Sequence, residues 1–377
     1  MINILEPFHG AVLNHRHGRA VDGGLEIAVR GTAPVGEAVT VNGVAAHRMG
    51  AQFLSQVILR AHETDIAAVG SSAIGRAEHR VRVVWDRYSR PRYRFAVDDN
   101  SFFMRDIVQK SYRSLFDSFY LSGLLKLHRK YGTKFLLNLF FTTPENDFTL
   151  REFPATYRGE WADNADWLKL SFHAYAEVPD RPYQNAMPEK LAADYDLVAG
   201  EIMRFAGEAS WAPPTVIHWG MVHPTLWPVL TQRGVKVLSA ATCPNLGSRY
   251  VDEDEKPAGD AAPFGYDLNY NLDDARSEYL TRHEALKDFE SGLVFSHGDI
   301  VCNSVSLDRI ASTLAALATD PNTAEIMDLF THEQYFWPFY PSYRPDHFQR
   351  VEAALRFCAE NGYEPVFFHE GFLGGQE

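Results

Sequence analysis

Carboxylate and imidazole side chains recur in this 377-residue sequence directly after short apolar runs, at the points where buried strands would end. The members of this group are Asp98-Asp99-Asn100, His173 with Glu177, His218-Trp219, His332-Glu333 and His369-Glu370. Carboxylates and imidazoles bind divalent metal ions, and they also transfer protons near neutral pH. Because the active site of a parallel βα barrel lies at the carboxyl ends of its strands, we expect these side chains to share one rim.

Asp98 and Asp99 point most directly to chemistry, since two adjacent carboxylates repel each other unless one binds a cation or shares a proton. A metal ligand next to a general base satisfies this condition. A solvated turn is the alternative, because Asp and Asn are also common in loops. The position of the pair directly after the apolar run 93–97 favours a functional site.

The elements that must position these residues alternate between apolar runs and amphipathic stretches, which is the pattern of parallel βα units. The predicted strands are residues 93–97, 134–141, 168–172, 215–218, 235–239, 293–295, 326–331 and 365–369. Helices are predicted over 188–205 and 345–360, and a long acidic loop over 252–274. We predict an α/β fold for residues 91–377, a (β/α) barrel of seven or eight strands, with a doubly wound open sheet as the alternative.

Residues 1–90 have a different pattern, in which short alternating apolar runs are broken by turn residues. Asn42-Gly43 is a two-residue hairpin signal, because both residues tolerate a positive φ. The pattern predicts a small all-β sandwich. The stretch 39–69 also resembles the bacterial immunoglobulin-like modules found beside glycan-active enzymes, and this resemblance implies an immunoglobulin-like first domain.

Phe95-Ala96-Val97-Asp98-Asp99 resembles the first motif of the NodB-like polysaccharide deacetylases, the barrel enzymes of carbohydrate esterase family 4, in which an apolar strand ends in two aspartates. The resemblance implies that Asp98 is the general base and that Asp99 binds the metal. The family has Gly after the aspartates, whereas this sequence has Asn100, which we assign to substrate binding.

The second motif of that family is a pair of metal-binding histidines four residues apart, and here His173 is followed four residues later by Glu177. Since Glu also binds divalent ions, the resemblance implies Asp99, His173 and Glu177 as the metal ligands. The alternative is that His173 and Tyr175 line a sugar pocket while Glu177 forms an ion pair in a loop. We assign Tyr175 to substrate binding.

The segment 216–224 stands in the place of the third family motif, but it lacks the Arg of that motif. We assign His218 and Trp219 in this segment to substrate binding. The alternative is a core histidine beside a packing tryptophan.

Residues 325–333 resemble the last family motif, a late strand that ends in the histidine serving as general acid. This resemblance implies that role for His332, and an imidazole suits it because its ordinary pKa lies near neutrality. Glu333 beside it is assigned to the substrate pocket, together with Trp337 in the aromatic loop that follows.

The resemblance implies a metal-dependent hydrolase that removes an acyl group from an amino sugar or another glycan by cleaving an amide or ester bond. Zn²⁺ is the expected ion, with Mn²⁺, Ni²⁺ or Co²⁺ as alternatives. Two other functions fit the same residues. One is a glycan-binding protein without activity; the other is a metal-independent barrel glycoside hydrolase that uses two carboxylates among Asp98, Asp99, Glu177, Glu333 and Glu370.

The formal net charge of −13 and the pI near 5.6 argue against a nucleic-acid partner, which requires clustered Lys and Arg. No apolar stretch reaches the roughly 18 residues of a membrane span, and the first residues lack the features of a secretory signal. We expect a cytoplasmic protein with a carbohydrate partner and with no nucleic-acid or membrane partner. The sequence is also compatible with a homo-oligomer. Cys243, Cys302 and Cys358 are odd in number and widely spaced, which predicts unpaired buried thiols.

Overall fold

A computed structural model describes residues 1–72, 75–241 and 270–373. As far as they are described, the residues form two compact units. The first unit contains Met1–Arg90, Ala285–Val294 and Leu373–Glu377. The second unit contains Pro91–Glu284 and Phe295–Phe372. The assignment of residues 1–90 and 91–377 to two domains stays a prediction, and Ala285–Val294 of the first unit comes from the stretch assigned to the second domain. Cys243 and residues 252–269 of the predicted loop lie outside the described residues.

The strands in the described part of the chain are β1 Asn3–Glu6, β2 Val12–Leu13, β3 Arg19–Val21, β4 Gly24–Thr32, β5 Ala38–Val41, β6 Val44–Ala45, β7 His47–Met49, β8 Gln52–Leu59, β9 Glu63–Ser72, β10 Gly75–Trp85, β11 Arg92–Asn100, β12 Phe135–Phe140, β13 Leu168–Ala174, β14 Val237–Ala241, β15 Ala285–Lys287, β16 Val294–His297, β17 Ile300–Val301, β18 Ile326–His332 and β19 Glu364–Pro365. The α-helices are α1 Phe102–Lys110, α2 Phe119–Tyr131, α3 Arg158–Asp163, α4 Pro188–Phe205, α5 Trp227–Thr231, α6 Asp274–Leu280, α7 Ile310–Thr319 and α8 His347–Glu360.

The first unit contains two five-stranded sheets, with the orders β1-β4-β8-β7, where β3 pairs with β4, and β2-β10-β9-β5-β6. In β8, buried Phe53, Val57 and Leu59 alternate with exposed Gln52 and Gln56. This is the pattern of a strand with one face in the core. The strands predicted for residues 1–90 are thus present, and the immunoglobulin-like topology stays a prediction.

The hairpin predicted at Asn42-Gly43 is confirmed. Val41 of β5 pairs with Val44 of β6 in antiparallel register. Asn42 and Gly43 have φ values of 47° and 81°, the two positive values that this type of tight turn requires.

The second unit is built on a six-stranded parallel sheet with the order β13-β12-β11-β18-β17, in which β19 also pairs with β11. All of β12 and all of β11 except Asp99 are buried, as expected for parallel strands covered on both faces. The predicted mixed α/β class is confirmed. β11 lies between β12 and β18, and its register sets Asp98 opposite His332.

Beyond β13 the hydrogen bonding continues through an extended segment, not through the strand predicted at 215–218. The Ala212 N–H bonds to β13 at 3.0 Å, and the Thr215 carbonyl accepts from β14 at 2.6 Å. Pro213 and Pro214 between them have no N–H to donate, which prevents a regular ladder. β14 in turn pairs with β16. A closed barrel of seven or eight strands stays a prediction.

The observed bounds of the two predicted helices match the prediction more closely than those of the last predicted strand do. Helix α4 has the predicted bounds, and α8 begins at His347, two residues later than predicted from the pattern over 345–360. The strand predicted over 365–369 is reduced to β19, because a 3-10 turn forms at Phe368–Glu370.

Two further expectations concern residues and segments outside the site. Cys302 and Cys358 are buried and unpaired, as predicted. Within residues 1–72, 75–241 and 270–373, no helix has the length and apolar character needed to cross a membrane.

The buried Glu333 carboxylate holds the first turn of α1. Its Oε2 accepts from the backbone N–H groups of Ser101 and Phe102 at 2.7 and 2.9 Å. Its Oε1 accepts from the Phe103 N–H at 2.6 Å and from Trp337 Nε1 at 3.0 Å. The first N–H groups of a helix have no acceptor within the helix, and Ser101 makes no side-chain cap. Glu333 therefore caps a helix that follows another strand.

This contact joins the ends of the two central strands, because α1 follows β11 and Glu333 follows β18. An anion at a helix N-terminus is also favoured by the helix dipole. Burial raises the pKa of Glu333 to about 7, while its four N–H donors oppose the shift by favouring the ionised form.

We expect Glu333→Gln to lower the free energy of unfolding by about 2–4 kcal/mol. The amide keeps one acceptor oxygen but turns an NH₂ group toward backbone N–H donors, which leaves buried donors without partners. Urea unfolding followed by circular dichroism measures the loss. Glu352→Gln, in an exposed pair with Lys130, is the matched control and is expected to change stability little. Equal effects of the two substitutions would contradict the capping role.

Candidate metal centre

Asp99 lies at the end of β11, where the strand is irregular. The pairing of β11 with β12 shifts register between Val97 and Asn100, and Asp99 has a φ of 61°. Asp tolerates this left-handed conformation better than most residues do. Strand irregularities of this kind re-aim side chains beside active sites. Here Asp98 and Asn100 are buried while Asp99 stays partly exposed.

Three possible ligand atoms from distant parts of the chain converge at this point. Asp99 Oδ1 lies 3.0 Å from His173 Nε2 and 3.2 Å from His218 Nδ1. The two imidazole nitrogens are 3.2 Å apart. His173 is carried by β13, and His218 begins the 3-10 turn His218–Gly220, so the group forms only when both elements meet Asp99.

The outer nitrogens of both imidazoles face backbone carbonyls. His173 Nδ1 lies 3.3 Å from the Val216 oxygen, and His218 Nε2 lies 3.1 Å from the Glu177 oxygen. A carbonyl only accepts hydrogen bonds, so these two nitrogens carry the ring protons. In the neutral rings the inner nitrogens therefore direct their lone pairs toward Asp99. These are the tautomers that metal-binding histidines adopt.

The donor set fits a divalent cation, because two lone pairs and a carboxylate oxygen repel one another unless a proton or cation lies between them. Catalytic zinc sites use three ligands of these types and leave a fourth position open. Ligand atoms in such a tetrahedral shell are roughly 3.3–3.4 Å apart. The observed separations of 3.0, 3.2 and 3.2 Å are close to that value. Asp99, His173 and His218 would hold Zn²⁺, Mn²⁺, Ni²⁺ or Co²⁺.

The charges in the site follow from this geometry. Burial disfavours the ionised form of Asp99, but its bonds with His173 and His218 outweigh burial and hold the pKa of Asp99 well below its usual range. Burial also disfavours a charged His173, yet Asp99 and Asp98 raise the pKa of His173 above its ordinary value. A proton and a metal ion therefore compete for the same imidazole nitrogen.

His332 lies at the end of β18, opposite Asp98. Its Nδ1 is 2.9 Å from Asn303 Oδ1. Because an amide oxygen only accepts, Nδ1 carries a proton and Nε2 is left to take up or release one. Asn303, in the 3-10 turn Cys302–Ser304, thus fixes the orientation of a candidate general acid.

Asn138 and Gln334 hold the two aspartates, and sequence reasoning missed both, as it missed Asn303. Asn138 Nδ2 donates to Asp98 Oδ1 at 2.6 Å, and Gln334 Nε2 donates to Asp99 Oδ2 at 3.0 Å. Asn138 is a polar residue inside the buried strand β12, which is a signal that the sequence does contain. No local signal marks Gln334 or Asn303.

The metal ligands expected from the sequence are Asp99, His173 and Glu177, whereas the ligand atoms that converge in the structure belong to Asp99, His173 and His218. His218, assigned from the sequence to substrate binding, takes the third place, while Glu177 contributes its backbone carbonyl to His218. A spacing of four residues returns a side chain to the same face of a regular helix or strand, but β13 ends at Ala174 and residues 175–178 form neither. Burial and the charge of Asp99 raise the pKa of the Glu177 carboxyl to about 7.

Asn100, Glu333 and Trp337, also assigned to substrate binding, are part of the interior. The Asn100 amide donates to two backbone carbonyls and accepts from the Tyr120 hydroxyl at 2.7 Å. Glu333 caps α1, and Trp337 donates to it. Their side chains are buried and their polar atoms have protein partners, so in this structure they support the fold around the site.

Tyr175 and Trp219, the other two residues assigned to substrate binding, are accessible. Tyr175 is 40% exposed, and its ring stacks on Phe141 with centroids 5.2 Å apart. Trp219 is partly exposed, and the Arg181 guanidinium lies 6.0 Å from the centre of its ring. Aromatic rings with one face available can stack against the apolar face of a sugar.

No family model matches the sequence, and none of the curated proteins is similar to it. Among solved structures, a peptidoglycan N-acetylglucosamine deacetylase is similar at 12% identity and a TM-score of 0.34, over 74% of this chain and 86% of that one. A Bacteroides ovatus GH5 xyloglucanase is similar at 8% identity and a TM-score of 0.29, over 95% and 100% of the two chains.

A modular endo-β-1,4-mannanase from Cellulomonas fimi is similar at 16% identity and a TM-score of 0.17. That likeness covers 22% of this chain and 18% of the mannanase. Likeness at these levels does not establish a shared fold, so the function is inferred from the site alone.

Metal analysis of the purified protein tests which of the two ligand sets binds the ion. We expect the wild type to bind a stoichiometric divalent ion and His218→Ala to weaken binding by more than the roughly 10–100-fold that changes outside the ligand shell cost. Glu177→Ala should keep the ion, because its backbone carbonyl and not its carboxylate contacts His218. Elemental analysis and competition with a chelator measure both. Loss of metal in Glu177→Ala with retention in His218→Ala would restore the set first expected.

Proposed function

We propose that this chain is a metal-dependent hydrolase that removes an acyl group from an amino sugar or another glycan, in the manner of a polysaccharide deacetylase. The observation that carries the proposal is the convergence of Asp99, His173 and His218 with both imidazole lone pairs directed inward. Asp98 and His332, paired across β11 and β18, supply a base and an acid beside this group.

Asp98 suits the role of general base. Asn138 binds its Oδ1, which leaves Oδ2 to accept the proton of an attacking water. The chemistry that the ion supplies is Lewis-acid activation of the acyl oxygen and of that water. The water oxygen adds to the acyl carbon as its proton passes to Asp98, and a tetrahedral intermediate results.

His332 suits the role of general acid. With its Nδ1 proton held by Asn303, its Nε2 can donate a second proton to the leaving nitrogen or oxygen. The bond from the acyl carbon to the leaving atom then breaks, and the products are a carboxylate and a free amine or alcohol. The accessible ring of Tyr175, two residues beyond His173, supports a sugar as the carrier of the acyl group.

The contacts of two carboxylates weigh against a metal-independent glycoside hydrolase. Such an enzyme needs a pair of carboxyl groups that flank the scissile bond. Glu333 is engaged by four N–H donors, and Glu370 forms a partly exposed pair with Lys134 at 3.1 Å. Neither is therefore placed to act as an acid or nucleophile at the rim.

If Asp98 is the general base, Asp98→Asn should bind metal as the wild type does, but its turnover rate should fall by about 10²–10⁴-fold, because the isosteric amide cannot accept a proton. Acetate release from N-acetylglucosamine oligomers and metal content are measured on the same preparations. Asp196→Asn, in a surface pair with Arg233, is the control and should keep full activity. Full turnover of metal-loaded Asp98→Asn would remove Asp98 from the mechanism, and release of new reducing ends in place of acetate would favour a glycoside hydrolase.

The role of His332 predicts a dependence on the leaving group. His332→Gln should reduce amide hydrolysis by about 10²–10⁴, because an amine leaves only after it is protonated. It should reduce hydrolysis of p-nitrophenyl acetate far less, because p-nitrophenolate leaves without a proton. Rates of both reactions with the same metal-loaded enzyme give the comparison. Equal losses on the two substrates would show that His332 acts in some other way.

A further inference from the structure

Gln334 is a buried side chain that contacts the candidate metal centre, although the mechanism above gives it no part. It lies in the 3-10 turn Glu333–Phe336 and is 3% exposed. Its Nε2 donates to Asp99 Oδ2 at 3.0 Å. The amide therefore binds the carboxylate oxygen of Asp99 that faces away from the two histidines.

The orientation of this amide is determined by the charges around it. Its Oε1 has no hydrogen-bond partner among the described residues, whereas its nitrogen faces Asp99. A flipped amide would turn its oxygen, which only accepts, toward Asp99 Oδ2, which also only accepts. The contribution of Gln334 to the site therefore comes from its N–H groups.

The two oxygens of Asp99 have different partners. Oδ1 faces His173 and His218 at 3.0 and 3.2 Å, while Oδ2 is bound by Gln334. A carboxylate can bind a cation through one oxygen or through both. A donor fixed on Oδ2 opposes binding through both oxygens and leaves Oδ1 as the single ligand atom.

We propose that Gln334 is a positioning residue that restricts Asp99 to binding the ion through Oδ1 alone and so selects ions that accept four ligands. This inference rests on the proposed metal centre. Zn²⁺ and Co²⁺ bind well in a four-coordinate shell of two imidazoles, one carboxylate oxygen and one water, whereas Mn²⁺ prefers more oxygen ligands. Partners that hold a ligating carboxylate tune the metal in just this way.

Gln334→Met tests the proposal, because it keeps the length and burial of the side chain and removes the N–H donors. We expect the preference for Zn²⁺ over Mn²⁺, measured as a ratio of dissociation constants, to fall by about tenfold or more. The visible absorption of the Co²⁺-loaded variant should also weaken, since four-coordinate Co²⁺ absorbs strongly and higher coordination weakens the bands. Gln56→Met on the exposed face of β8 is the matched control and should leave both readouts unchanged.

Gln334→Glu provides a second variant if the first does not fold. It keeps the shape of the side chain but sets a third carboxylate against Asp99 and Glu177, and it should change the Co²⁺ spectrum in the same direction. A folded variant with the wild-type spectrum and the wild-type Zn²⁺/Mn²⁺ ratio would overturn this inference alone. A wild-type protein that takes up none of these ions would overturn the proposed function and this inference together.

Discussion

The carboxylate of Glu333, buried on the first turn of α1, is the contact on which the geometry of the site depends. It ties the helix that follows β11 to the end of β18 through three backbone N–H groups. The residues on either side of Glu333 then act on the same strand end, since His332 stands opposite Asp98 and Gln334 binds Asp99. Three consecutive residues thus position Asp98, His332 and Asp99, the proposed base, acid and metal ligand, relative to one another.

A buried ion pair fixes the register below this contact. Arg94 and Asp328 are opposite each other in β11 and β18, four residues before Asp98 and His332, and their side chains are 1% and 0% exposed. A slip of one residue between these strands would leave both charges buried without partners, which costs about 3–5 kcal/mol. The alignment of Asp98 with His332 therefore depends on a charge pair that takes no part in the proposed reaction.

The neighbours of three histidines fix which ring nitrogen of each is left without a protein acceptor and faces the candidate site. Backbone carbonyls bind the outer nitrogens of His173 and His218, so both rings direct lone pairs toward Asp99. The amide of Asn303 binds Nδ1 of His332, so its Nε2 is left for proton transfer. His173 and His332 thus have the same tautomer, with the ring proton on Nδ1, and the two candidate ligands are set apart because the free nitrogens of His173 and His218 converge on Asp99.

The sequence by itself determined the α/β class of the second unit, the Asn42-Gly43 hairpin, helix α4 and the strand ends that carry Asp98, Asp99, His173 and His332, because these follow from local periodicity and turn chemistry. Only the tertiary structure decided that His218 and not Glu177 completes the triad, since the segment that carries His218 is placed by bonds to β13 and β14 and by two prolines. The burial of Glu333 and Trp337 could not be predicted from the sequence either. Glu333 binds backbone groups of a helix that lies far away in sequence, and Trp337 donates to Glu333. Local residue patterns specify where polar groups can end a strand, whereas the contacts between distant segments decide which of those groups meet an ion and which hold the fold together.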